Sequence, residues 1–133
     1  MKSIVLGSVL AGILLWSVPA VTMPPQHQIT IENGSPYFLP ATAFVGRGVE
    51  IRWENPTATY HTITHDGCIT AGPCLFDSGS IAPDSSYALA GLPPGRYPYH
   101  CRLHPIMRGV IEVYDAQETR QDALDQRNLP GLN

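Results

Sequence analysis

The sequence predicts an all-β fold, an antiparallel β-sandwich of about seven or eight short strands. Three observations predict it. Short stretches rich in β-branched and aromatic residues recur along the chain, turn residues punctuate them at close intervals, and no convincing helix lies among them.

His27 to Ile31 alternates apolar with polar residues and stops at Asn33-Gly34. Tyr37 to Val45 is interrupted by Pro40 and ends at Gly46-Arg47-Gly48. Val49, Ile51 and Trp53 alternate with Glu50, Arg52 and Glu54, the period-two pattern of a strand with one buried face, and Asn55-Pro56 closes it. Thr59 to Thr64 is again β-type, and a loop from His65 to Pro73 follows. Leu75-Phe76 and Ser78 to Ile81 read as short edge pieces. Ser86 to Leu89, Arg96 to Cys101 and Arg108 to Tyr114 complete the set. In the second of these, alternation points Tyr97, Tyr99 and Cys101 one way and His100 the other. Pro98 cannot donate to a ladder, so a bulge or an unpaired position is expected there. Residues 115–133 form a polar tail, frayed, with one helical turn or two.

The amino terminus has a different character. Lys2 precedes an apolar run of 13 residues, Ile4 to Trp16, and a small-residue site ending at Ala20. This is the layout of a secretory signal peptide over residues 1–20. A transmembrane anchor needs roughly 20 apolar residues, more than this run supplies. Cleavage after Ala20 leaves 113 residues, enough for one domain, placed at 27–114, in a periplasmic or otherwise exported protein. The only lysine departs with the signal, leaving a formal charge of −4. Such a surface argues against nucleic acid as a partner. No later segment is apolar enough to insert in a membrane.

Three cysteines in an oxidising compartment leave one thiol with work other than bridging. Cys101, His104 and Met107 fall three residues apart on a tight loop between two strands, and His61 lies some forty residues earlier at a β-type segment. Thiolate, two imidazoles and a thioether are the ligands of a trigonal copper site with a weak axial Met. The thiolate binds covalently, the imidazoles suit both copper oxidation states, and the thioether favours Cu(I). A zinc site of two thiolates and two imidazoles wants its thiolates at short spacing, which this loop does not offer. A coincidental C-x-x-H with a core Met is the bland alternative.

The segment Tyr99-His100-Cys101-Arg102-Leu103-His104-Pro105-Ile106-Met107-Arg108-Gly109 resembles the copper loop of the cupredoxins, particularly the amicyanin and plastocyanin branch. The short gap between His104 and Met107 is closer to amicyanin. The run Ala41 to Asn55, then His61, is similar to the strands that lead to the family's first ligand. The resemblance covers roughly residues 27–114. It implies a cupredoxin-like Greek-key sandwich of about eight strands that carries one type 1 copper ion. It also implies a soluble monomer shuttling single electrons between redox partners, such as a cytochrome or a copper or quinone enzyme, by transient docking. In the family the residue after the first His is often Asn, whose side chain ties the two ligand loops; Thr62 stands there, so the tie is expected to be shorter or absent.

Bridging either Cys68 or Cys74 to Cys101 would destroy the copper thiolate, which leaves Cys68–Cys74 as the compatible disulfide. A second metal or redox site using those two thiols with His65 is the functional alternative. In multicopper enzymes a His beside the type 1 Cys binds a further copper, but this chain lacks the additional ligands, so His100 is expected near the surface as a side-facing residue. It could serve as a secondary electron port. His104 is the expected main port, inside an apolar collar of Pro105, Ile106, Leu39 and Pro40. His27 and His65 are expected to face solvent. A copper chaperone or storage protein is the rival function, although such proteins prefer Met-rich or His-rich ligands and this chain has three Met. An enzyme would need a second copper or a substrate pocket, and the sequence offers neither.

Overall fold

The computed structural model describes residues 26–127. The expected signal segment 1–20 and the last six residues of the tail lie outside them.

Eight strands form two four-stranded sheets that face each other. They are β1 (Gln26–Ile31), β2 (Phe38–Leu39), β3 (Thr42–Gly46), β4 (Glu50–Asn55), β5 (Thr64–His65), β6 (Ser85–Leu89), β7 (Gly95–His100) and β8 (Arg108–Tyr114). One sheet runs β2-β1-β4-β6 and the other β3-β8-β7-β5. The expected sandwich is present, with one correction: β1 pairs β4 in parallel, and so does β3 with β8. Alternation tells which face of a strand is buried, not which neighbour it pairs with or in which direction. The segment expected as a strand from Thr59 is mostly extended loop, holding one bridge, His61 to Ile81, before β5 begins.

The period-two patterns put one set of side chains between the sheets. Ile29 and Ile31 of β1, Ile51 and Trp53 of β4, Tyr97 and Tyr99 of β7, and Ile111 and Val113 of β8 are all buried. Burying an aliphatic side chain of this size stabilises by about 1.5–3 kcal/mol. At the centre the Tyr99 ring lies 4.9 Å from Phe38, tilted by 57°, and meets Trp53 edge-on at 5.6 Å, and the Trp53 indole N–H donates to the Tyr99 hydroxyl at 3.2 Å. Burial pushes the Tyr99 phenol well above its ordinary pKa, partly opposed by that hydrogen bond.

Pro98 causes no bulge. The register from β7 to β8 is continuous, with Pro98 opposite Val110, whose N–H turns the other way to Ala41 O at 2.9 Å. Pro98 therefore occupies a pair that exchanges no hydrogen bond with β8, and on its other side β5 has already ended at His65. The missing donor costs nothing there.

Among the described residues of the polar tail there is a helix of three turns, α1 (Ala116–Arg127), rather than one turn or two. Straight-chain and small residues of good helix propensity fill it, and Asp115 accepts the Gln117 N–H at 3.0 Å, capping its start. Among the described residues no helix is long and apolar enough to cross a membrane.

Cys68 and Cys74 form a disulfide, and Cys101 is the free, buried thiol. The bridge closes the loop that follows β5. Replacing both bridging cysteines with Ala is expected to lower stability by about 2 kcal/mol, from the loop-closure entropy of so short a ring. Urea unfolding measures it, and a loss below about 0.5 kcal/mol would show that β5 and its turn hold without the bridge.

Candidate metal centre

Cys101 follows β7 directly and Met107 immediately precedes β8, so the two strands fix both ends of the loop between them. The loop is closed from within: the Met107 N–H donates to His104 O at 2.8 Å, and the Cys101 N–H to Met107 O at 3.1 Å. His61 comes from the far segment and is pinned by reciprocal backbone bonds with Ile81, at 3.1 and 2.8 Å. Because β5 pairs with β7, the His61 segment lies alongside Cys101.

The donor atoms of His61, Cys101 and His104 all lie within 4.8 Å of one another. His61 Nδ1 is 3.9 Å and His104 Nδ1 3.7 Å from Cys101 Sγ. Metal bonds of about 2.3 Å to sulfur and about 2.05 Å to nitrogen, at a trigonal angle, separate the two donors by about 3.8 Å. The spacing fits one shared ion. His61, Cys101 and Met107 are buried and His104 is half-buried. Met107 also lines, with His61 and His104, a cavity of about 240 Å³. Burial, and second the nearby His104, lower the His61 pKa and so favour the neutral ring, the form a metal needs. Two imidazoles, one thiol and one thioether are the donor set of a type 1 copper site.

The tie between the ligand loops is made by Thr62 after all. Its hydroxyl accepts the Arg102 N–H at 2.8 Å, and its own N–H donates to Cys101 Sγ at 3.3 Å. A short side chain suffices because the loops are this close.

Three histidines differ from expectation. His100 is buried, its Nδ1 2.6 Å from Asp66 Oδ1, and Asp66 also pairs with Arg108 at 3.3 Å. The outer face of β7 is covered there by the turn after β5, so alternation away from the core did not mean exposure. His65 is buried too, packed against Phe76 at 5.2 Å, its Nδ1 without a hydrogen-bond partner. His27 is half-buried with Nε2 enclosed. Neither faces solvent freely, and His65 holds no thiolate, since the two cysteines near it are bonded to each other.

Sequence reasoning missed the residues behind His61. Thr57 and Thr59 hydroxyls lie 2.9 and 3.0 Å from His61 Nε2, and Asn55 stands behind Thr57. Threonines two and four residues before an imidazole are the only trace in the chain.

Solved structures share this fold. The chain is similar to a purple cupredoxin from Nitrosopumilus maritimus, at TM-score 0.60 and 23% identity, over 66% of this chain and 99% of that one. It is similar to an amicyanin variant in its reduced state, at TM-score 0.57 and 24% identity, over 67% of this chain and 82% of that one. An oxidised amicyanin variant matches at TM-score 0.57 and 23% identity, over 71% and 88%. No protein-family model and no curated protein matches the chain.

Proposed function

We propose that this chain, cupredoxin in fold, is an exported type 1 copper protein that carries single electrons between redox partners, with His61, Cys101, His104 and Met107 as the ligands. The observation that carries this reading is the approach of both imidazole Nδ1 atoms to one buried thiol, at 3.9 and 3.7 Å. A copper ion held there supplies a reversible one-electron couple at a site that need not rearrange.

The residues support that role in distinct ways. Cys101 offers the sulfur, and the Thr62 N–H aimed at it disperses the thiolate's charge and tunes the potential. His61 is enclosed, so His104, half-buried, is the ligand with a route outward. Leu103 and Ile106, which flank it in sequence, are 51% and 73% exposed, and Tyr60 beside His61 is 55% exposed. Apolar side chains displayed around an electron's exit suit brief contacts that bury little area and release quickly, with a cytochrome or a copper or quinone enzyme as partner. The disulfide fits an oxidising compartment, in keeping with residues 1–20 as a cleaved signal and 27–114 as the functional domain.

Copper loading tests the function. The oxidised protein is expected to show an intense band near the red end of the visible and to cycle reversibly by one electron with small redox reagents. A colourless Cu(I) form that resists oxidation would instead mark a copper-handling protein.

A further inference from the structure

The hydrogen bonds that join Asn55 to Thr57 have only one consistent direction. The Thr57 backbone N–H lies 3.1 Å from Asn55 Oδ1, and an N–H can only donate, so that atom is the amide oxygen. The amide nitrogen agrees, facing three carbonyls: Thr59 O at 2.9 Å, Ala82 O at 3.0 Å and Ile81 O at 3.2 Å. Asn55 Oδ1 also lies 2.7 Å from Thr57 Oγ1, and an amide oxygen only accepts, so the Thr57 hydroxyl donates to it. Two other oxygens lie within reach of that hydroxyl, Thr59 O at 3.2 Å and Thr59 Oγ1 at 3.4 Å, both farther than the amide oxygen of Asn55. Its single proton is thus committed away from His61, and towards His61 Nε2, 2.9 Å away, Thr57 can only accept. Nε2 must then carry the ring hydrogen, which leaves Nδ1, the nitrogen facing Cys101 Sγ, bare.

We propose that Asn55 and Thr57 form a relay that sets the tautomer and orientation of His61, and that they are positioning residues for the metal centre. Both are buried, which limits competition from water for the bonds along the chain from Asn55 to the imidazole. Asn55 ends β4 and grips the segment that bears Ile81, whose backbone pins His61; the same amide therefore fixes the ring's backbone and its proton. Thr59, 3.0 Å from Nε2, is a second acceptor, but its hydroxyl proton is not committed to Asn55, so it supports the tautomer without dictating it.

The inference rests on His61 being a ligand, yet its first reading needs no metal. The test uses the full metal-free chain with isotope-labelled histidine, whose tautomers are read by long-range nitrogen–proton NMR at a pH of about 8, where imidazole is neutral. Wild-type His61 is expected as the Nε2–H form. Thr57→Val, which keeps the shape and removes the acceptor, is expected to yield a mixture, and Thr57→Ser to restore the wild-type form. Zn(II), a redox-inert probe, is expected to bind about 10–100-fold more weakly to Thr57→Val, with affinity recovered in Thr57→Ser and less affected in Thr59→Val. An Nδ1–H tautomer in the wild type would overturn the relay, as would unchanged tautomer and affinity in Thr57→Val, or equal losses in the two Val variants. If Thr57→Val does not fold, the wild-type tautomer alone decides. A wild-type protein with the Nε2–H form but no thiolate band on adding Cu(II) would sink the copper reading and leave the relay standing.

Discussion

Cys101→Ser is expected to abolish the red-visible band of the copper-loaded protein completely while leaving the fold in place. The band requires a sulfur-to-copper charge transfer, and a hydroxyl oxygen neither ionises near neutral pH nor mixes covalently with copper in that way. Copper affinity should fall by more than the roughly 10–100-fold that the loss of an outer-shell partner costs, because a charged ligand is gone. The metal-free variant should fold normally: Ser is nearly isosteric, can accept the Thr62 N–H that now reaches Sγ at 3.3 Å, and has the bare Nδ1 of His61 within its neighbourhood. Visible absorption, copper competition and circular dichroism check the three parts. A variant that kept an intense red band would show that another group supplies the thiolate, and Cys68 and Cys74 are bonded to each other.

Gly109→Ala is expected to destabilise the protein by about 3 kcal/mol, at the upper end of overpacking in a filled core. A Cβ at Gly109 would lie 2.4 Å from both Cζ and the hydroxyl of Tyr99. The Tyr99 ring cannot retreat freely, since Phe38 lies at 4.9 Å and Trp53 at 5.6 Å. Moving it would also break the bond from the Trp53 indole N–H, leaving a buried donor unpaired at a cost of about 1–3 kcal/mol. Denaturant unfolding gives the number. In a Tyr99→Leu background the added cost of the alanine should shrink markedly, because the obstructing ring is gone. Equal costs in both backgrounds would mean that the clash is relieved elsewhere. Tyr99 and Gly109 flank the ligand loop at two and two residues from its ends, so the packing that holds the core also holds the loop.

Local features of this chain were readable directly. Burial of Ile51 with Trp53, of Tyr97 with Tyr99, and of Ile111 with Val113 follows from period-two alternation, a property of a single strand that needs no knowledge of its neighbours. The spacing of Cys101, His104 and Met107 is likewise local, because a tight loop between paired strands keeps such residues near one another whatever the rest of the chain does. The disulfide could be assigned by elimination once Cys101 had been given another task.

What the tertiary structure decided is what depends on segments far apart in sequence. Parallel pairing of β1 with β4 and of β3 with β8 leaves no mark in hydropathy, since alternation sets the buried face and is blind to the partner's direction. His100 and His65 looked solvent-facing until the turn after β5 covered them, with Asp66 supplying the partner for one and Phe76 the cover for the other. Thr62 proved long enough to join the ligand loops only because the fold brings them within one hydrogen bond. The relay from Asn55 through Thr57 to His61 belongs to the same class. Its residue types are common in any loop, and their meaning comes from burial, which limits water as an alternative partner and leaves the donors to protein acceptors.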